Sequence, residues 1–463
     1  MSSIYISAAH KSSGKTTLSL GLCTALHNRG LKVQSFKKGP DYIDPLWLAK
    51  ASHGRCYNLD FNTMTDEEIL TKVSHHSEGA DISIIEGNKG LYDGVKVDGT
   101  DSNAAIVKLL ATPVVLVIDT RGVTRGVAPL LLGYQQFDPT IKIAGVIFNM
   151  VGGARHERKL RGVVEAYTDV PVLGAVHKHN DLVLVERHLG LMPINESELA
   201  TEKITNIASL IAQQVDLDSV LSIAKTAPSV MVPENKEIIV KDAVELIQSD
   251  KLRIGICKDS AFGFYYQDDL EALQAQGAEL ITINTLNDAH LPKDLDGLFI
   301  GGGFPETHME KLSANTSLRQ EIYDLIEAGL PTYAECGGLM YLSESLSWKN
   351  KTLDMVGIIP ADTIMHEKPQ GRGYVKLEET AHMLWGTHPQ GELIAAHEFH
   401  YSKLDNLNKK GKFAFRVLRG TGITGSEDGW VYKNLLASYT HMRDTKRYHW
   451  AKHFVDFIKS TKN

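Results

Sequence analysis

The chain has 463 residues, with 49 lysines and arginines against 56 aspartates and glutamates, for a formal net charge of −7. Apolar residues at 43% and charged residues at 23% are ordinary for a globular protein and exclude a long disordered or fibrous chain. The acidic balance speaks against nucleic acid as a partner, and at roughly 150 residues per domain the length suits two or three domains.

In the first half, short β-branched runs alternate with helical stretches. Ser3 to Ala8 reads as a strand, Thr16 to Asn28 as a helix and Lys32 to Phe36 as a strand. Asp81 to Glu86, Val114 to Asp119 and Ile143 to Asn149 are further apolar strands. Near-continuous apolar strands suit a parallel sheet covered on both faces. Around Thr226 to Lys241 two prolines and a loss of period mark a linker. The rhythm restarts with strands at Leu252 to Cys257, Glu279 to Asn284 and Gly297 to Ile300. The expected fold is therefore α/β, with two tandem α/β domains at 1–225 and 251–463 and a linker at 226–250.

Four cysteines, Cys23, Cys56, Cys257 and Cys336, include no C-x-x-C pair, so neither a zinc site nor a redox pair is expected. Sparse thiols suit a cytosolic protein. The N-terminus lacks a signal-peptide apolar core. No apolar run approaches the ~20 residues of a membrane helix. A cytoplasmic protein without a membrane partner is the expectation.

Ala9-His10-Lys11-Ser12-Ser13-Gly14-Lys15-Thr16-Thr17 lies between a predicted strand and a predicted helix, as a phosphate-binding loop requires. Only its first position, Ala9, departs from G-x-x-x-x-G-K-[ST]. Backbone N–H groups of such a loop hold phosphate oxygens. Ser12, Ser13, Gly14, Lys15, Thr16 and Thr17 are thus nucleotide-binding candidates. Lys15 would neutralise β/γ-phosphate charge, and Thr16 would offer an oxygen to Mg²⁺. Such a metal needs one or two further carboxylates. Asp41 and Asp44 follow the second strand, and Glu86 ends DISIIE, at strand ends where α/β folds bind ligands.

In the second half, Cys336 follows LPTYAE and precedes Gly337-Gly338, the pattern of a nucleophile elbow. A helix N-terminus there would favour a thiolate. An isolated cysteine would read as a core thiol. The glycine loop Gly301-Gly302-Gly303, able to present N–H groups as an oxyanion hole, reverses that preference. A cysteine nucleophile needs a base, and the candidates are His397, His400 and His441. His441 is preferred because it ends the apolar run WVYKNLLASYTH, read as one strand. His400 is the second choice, lining the substrate cleft.

The motifs SSGKTT, FKKGPDYIDP, EGNKGLYDG, GVIFNMVGGARH, ERHLGLMP, GGGFPE, AECGGLMYL, KPQGRGYV, HEFHYS and ASYTH together resemble the cobyrinate a,c-diamide synthase family, over essentially the whole chain. That resemblance implies an N-terminal P-loop, dethiobiotin-synthetase-like ATPase domain joined to a C-terminal class I glutamine amidotransferase domain. It implies ATP and Mg²⁺ as cofactors, L-glutamine as nitrogen donor and a modified tetrapyrrole whose a and c acetates are amidated. Cys336 is then the nucleophile and His441 its activator, with Asn149 as an adenine contact. Asp44 and Glu86 contact Mg²⁺ or a substrate carboxylate. Asp41, Tyr42, Tyr92, Gly302, Gly303 and His400 are assigned to substrate binding. Arg155, His156, Arg187, His188 and Arg372 are basic candidates for the polyanionic ring. Class I enzymes usually carry His-Pro-Glu, whereas His441 is followed by Met442-Arg443. A Cys–His dyad is expected, and what orients His441 is left open.

The implied reaction is ATP-dependent phosphorylation of a carboxylate, then displacement of phosphate by ammonia released at Cys336. Cobyrinate or hydrogenobyrinate is the first substrate reading. Sirohaem and nickel sirohydrochlorin, amidated by relatives with the same two domains, are alternatives. Two rivals from other classes are a partition-type ATPase switch and a regulatory protein with an inactive amidotransferase domain. Related ATPase domains often dimerise, which leaves a homodimer open.

Overall fold

The structure is a computed structural model in which residues 2–184, 186–187, 190–194, 199–230, 251–386, 391–407 and 411–462 are described, with backbone alone at 186, 187, 190 and 191. The chain divides into two compact units, Met1–Asn235 and Lys236–Asn463. Of the stretch expected to be a linker, 231–250 lie outside the described residues.

The first unit is built on seven strands: β1 Ser3–Ala8, β2 Val33–Lys38, β3 Cys56–Leu59, β4 Ile82–Glu86, β5 Val114–Asp119, β6 Ile143–Val151 and β7 Val172–His177. Their spatial order is β3-β2-β4-β1-β5-β6-β7, and every pairing is parallel. All residues of β1, β4 and β5 are buried, as their unbroken apolar runs require of a sheet covered on both faces. Helix α1, Lys15–His27, leaves the carboxyl end of β1. Register then does the work of assembly. Glu86 stands opposite Ile6 on one side and Lys37 on the other, and Asp119 stands opposite Asn149. Residues far apart in sequence thus reach one sheet edge.

The second unit has a nine-stranded mixed sheet. In spatial order its strands are Ala278–Ile283, Leu252–Cys257, Gly297–Ile300, Thr332–Glu335, Leu435–Ser438, Glu427–Tyr432, Lys412–Arg419, Gly371–Glu379 and Ile394–His400. The first five run parallel and the remainder pair antiparallel. Phe299, Tyr333, Trp385, Trp450 and Phe454 pack together in its core. The run 430–441 is not one strand. It folds back at Lys433, whose φ of 48° lies in the left-handed region, and becomes a hairpin of Glu427–Tyr432 and Leu435–Ser438. No glycine or proline marks that turn, and Lys433-Asn434 performs it instead.

No helix among the described residues is long and apolar enough to cross a membrane.

Candidate functional site

The phosphate loop lies between β1 and α1. Gly14 precedes the helix with φ 89°, a conformation that L side chains resist. A Cβ there would meet Asn149 Nδ2 at 2.0 Å, so two independent constraints demand glycine. Asn149 Nδ2 donates to the Ser13 carbonyl at 2.9 Å. The expected adenine contact is thereby fastened to the loop. Tyr92 lies behind it: its hydroxyl donates to the Tyr134 carbonyl at 2.6 Å, and Tyr134 donates in turn to the carbonyl of Ala9. Tyr92 braces the loop through this chain. Thr17 donates to the Leu182 carbonyl at 3.3 Å, and Ser13 donates to the His10 carbonyl at 2.8 Å. Ser12 takes a positive φ of 61°.

Thr16, Asp44 and Glu86 meet at one point. The Thr16 hydroxyl donates to Glu86 Oε1 at 2.9 Å and Asp44 Oδ2 at 3.3 Å. Lys37 shares these oxygens, its Nζ lying 2.5 Å from Asp44 Oδ2 and 2.6 Å from Glu86 Oε1. Its side chain is 3% exposed. Burial opposes the charge, yet Asp44 and Glu86 hold the ammonium well above the ordinary lysine range. Lys15 is pulled down to about 8, first by burial and then by the neighbouring Lys37. Asp41 caps the following helix instead, accepting from the N–H groups of Ile43 and Asp44. Burial pushes its carboxyl up to about 7. Tyr42 is buried at the start of that helix.

Mg²⁺ fits this donor set. Among the described residues no group of three or more His, Cys, Asp or Glu is placed to hold a metal. Mg²⁺ needs fewer, since it keeps several waters and takes one or two carboxylates beside substrate phosphates. Glu86 Oε2 is buried without a hydrogen-bond partner among the described residues, an oxygen still to be satisfied.

The basic candidates scatter. His156 accepts from the Gly152 N–H and donates to the Val123 carbonyl, tying two loops together. Arg155 lies in the first turn of the helix Ala154–Tyr167. Arg372 lies over the Phe399 ring at 5.2 Å. His188 and the side chain of Arg187 lie outside the described residues. Lys37 and Lys38 were missed by sequence reading. Lys38 is also buried, its Nζ 2.6 Å from the Asp101 carbonyl. The doubled lysine before Gly-Pro was the available signal.

In the second unit, Cys336 ends the strand Thr332–Glu335 with φ 48° and ψ −99°. Such strain in a non-glycine residue persists only where its surroundings enforce it. A Cβ on Gly302 would lie 2.7 Å from His441 Cε1, and one on Gly337 would lie 2.9 Å from the Gly303 nitrogen. The glycine loop, the elbow and His441 therefore converge. Burial opposes charge on His441, but hydrogen bonds with Cys336 and Glu335 raise it to about 10. The imidazole Nδ1 lies 3.3 Å from Glu335 Oε2.

His397 packs on the other histidine. It pairs with His441 through the backbone, and the two rings stack at 5.0 Å and 16°. Burial, with His441 and Arg443 nearby, holds His397 well below its ordinary value and therefore neutral. His400 stacks on Tyr439 at 3.9 Å, and its Nδ1 donates to the Ser402 carbonyl at 2.8 Å. It is buried rather than lining an open surface.

The comparisons agree with this division. Residues 5–191 match a family model described as the CobQ/CobB/MinD/ParA nucleotide binding domain. Residues 253–447 match one described as the CobB/CobQ-like glutamine amidotransferase domain. The two together define a glutamine-dependent carbon–nitrogen ligase. The cobyrinate a,c-diamide synthase of Magnetococcus marinus is 43% identical over 454 residues, covering 98% of this chain and 96% of that protein. Proteins of the same name from Archaeoglobus fulgidus and Methanosarcina acetivorans are 41% and 40% identical, covering 98% and 95% of this chain and 96% and 92% of their own lengths. The chain belongs to the cobyrinate a,c-diamide synthase family.

Proposed function

We propose that this protein uses ATP and glutamine to amidate the a and c acetate carboxylates of cobyrinate or a close modified tetrapyrrole. The observation that carries the reading is that one chain gathers two chemically different groups of side chains. One gathers Lys15, Thr16, Lys37, Asp44 and Glu86 at a phosphate loop. The other sets Cys336 against His441. Neither a partition-type switch nor an inactive amidotransferase explains the strained Cys336 facing an imidazole. The names of the full-length relatives support the choice of ring.

At the glutaminase half-site, the Cys336 sulfur attacks the side-chain amide carbon of glutamine. N–H groups of Gly303 and Gly337 receive the developing oxyanion. The His441 imidazolium, retained to about pH 10, gives its proton to the departing nitrogen. Ammonia leaves, and the C–S bond of the thioester remains. Water, deprotonated by His441, then cleaves that bond to give glutamate and the free thiol.

At the ATP half-site, a substrate carboxylate oxygen takes the γ-phosphoryl group from ATP, forming an acyl phosphate and ADP. Ammonia attacks the acyl carbon, phosphate departs and an amide results. A carboxylate alone would have to expel oxide, which is why phosphorylation comes first. Lys15 and Lys37 bring positive charge to the phosphoryl oxygens. Asn149 offers its Oδ1 to the adenine amine while Nδ2 holds the loop. Mg²⁺, held by Thr16, Asp44 and Glu86, would supply further charge neutralisation.

The test is mass spectrometry of cobyrinate, sirohaem and nickel sirohydrochlorin after incubation with ATP, Mg²⁺ and glutamine. Two carboxyl-to-amide conversions on cobyrinate are expected. Cys336→Ala should lose glutamine-dependent product and keep product from ammonium salt. Amidation of another ring in preference would overturn the substrate assignment, and no amidation of any would overturn the reaction.

A further inference from the structure

We infer that Glu335 is the orienting acid of the glutaminase site, a positioning residue that holds the His441 ring from the position directly before the nucleophile. It fills the role that triad-type amidotransferases give to a glutamate two residues after the histidine, a place occupied here by Arg443.

The geometry carries this. The Glu335 side chain is buried, and its carboxylate is fixed at three points. Oε2 lies 3.3 Å from His441 Nδ1. Oε1 accepts from the Tyr333 hydroxyl at 2.5 Å and from the Met442 N–H at 3.0 Å. One carboxylate therefore holds both the imidazole and the peptide that follows it. With Nδ1 donating to Glu335, Nε2 is the ring nitrogen left for Cys336. An imidazole's tautomer is set by what its other nitrogen bonds.

Adjacent residues of a regular strand point to opposite faces, so Glu335 and Cys336 should not reach one ring. The distorted backbone of Cys336, φ 48° and ψ −99°, breaks the pleat and brings both to His441. The elbow is thus as necessary to the acid as to the nucleophile.

The other groups around His441 do not supply the anchor. His397 stacks face to face with it and stays neutral. Arg443 turns away, its Nη2 2.6 Å from Asp268 Oδ2 and its guanidinium 4.4 Å over the Tyr266 ring. Asp268 pairs with that arginine, whereas the Glu335 carboxylate lies on the imidazole itself.

This inference rests on the glutaminase half of the proposed function and is independent of which ring is amidated. The experiment compares the wild type with Glu335→Gln in glutamate release over pH 6–10.5. The amide keeps an acceptor for Met442 but cannot offset an imidazolium. Expected are a fall of about 10²-fold or more in kcat, a glutamine KM within twofold, and an alkaline limb moved at least one pH unit lower. Ammonia-dependent synthesis should be retained, which separates this result from global unfolding and from failure of the synthetase reading. Glu335→Asp should recover part of the rate. A variant with wild-type kcat and an unmoved alkaline limb would overturn the inference. If Glu335→Gln does not fold, Tyr333→Phe removes one of the three anchors while leaving all three site side chains. It should lower kcat about three- to tenfold, as one lost hydrogen bond implies, and shift the same limb. An unchanged profile would refute the assignment.

Discussion

Lys37 places its ammonium nitrogen 2.6 Å from Glu86, directly across the β2–β4 register. Asp44 receives the same nitrogen at 2.5 Å. Lys37→Met would leave two carboxylates beside Thr16 without their ammonium partner. A broken buried ion pair costs about 3–5 kcal/mol. Urea denaturation should show the first unit destabilised by that order. Mg²⁺ should raise the stability of the variant more than that of the wild type, because a divalent ion replaces the lost charge. Equal stability with and without the substitution would contradict the ion-pair account.

Gly14→Ala tests the fastening of the phosphate loop. The left-handed backbone costs an alanine about 1–2 kcal/mol, and the new methyl must also displace Asn149. Calorimetry with a non-hydrolysable ATP analogue should show at least a tenfold loss of affinity. Glutaminase activity of Cys336 should persist.

These two positions differ in how plainly the sequence announces them. Gly14-Lys15-Thr16 is a local pattern, and strand, loop and helix follow within a few residues of it. Lys37 is a solvated-looking cation until β2 lies between β3 and β4, when its ammonium is buried against Asp44, Glu86 and Asp41. The parallel strands were legible because both faces are buried. The 430–441 hairpin was not, because the turn contains no glycine and its positive φ falls on Lys433 rather than on the neighbouring Asn434. Glu335 escaped notice for another reason. Neighbouring strand residues diverge, so no sequence rule directs attention from a nucleophile to the residue beside it.

The pH dependence of the second unit follows from His441. Its ordinary value is 6.5 and its folded value about 10. A group raised on folding contributes stability in full below the unfolded value, and the contribution is lost as pH rises through the folded one. Thermal unfolding of the wild type should therefore lose stability on the approach to pH 10. In Cys336→Ala one of the hydrogen bonds raising His441 is gone, so the loss, which starts near the unfolded value in both proteins, should be complete at a lower pH, by about one unit or more. Coincident alkaline limbs in the two proteins would count against the Cys336–His441 contact.

Asp428 controls how His441 is delivered. It is buried and accepts the N–H groups of Tyr439 and Thr440, both at 3.0 Å. Asp428→Ala would leave those two donors unsatisfied, a loss of about 2–4 kcal/mol. Glutamate release should fall more steeply than ammonia-dependent synthesis, since the disturbed peptides lead straight to the imidazole. Equal decline of both rates would show that the effect is not local to that segment.

Placing the orienting acid and the sulfur on successive residues shortens the assembly problem. A single peptide bond fixes their separation, so no chain closure is needed to bring those two together. Only the proton carrier must arrive from afar, and it comes when Leu435–Ser438 docks beside Thr332–Glu335. Until that strand is seated beside its neighbour, the thiol lacks the imidazole with which to exchange a proton, so a chain that has not paired these two segments cannot hydrolyse glutamine by this route.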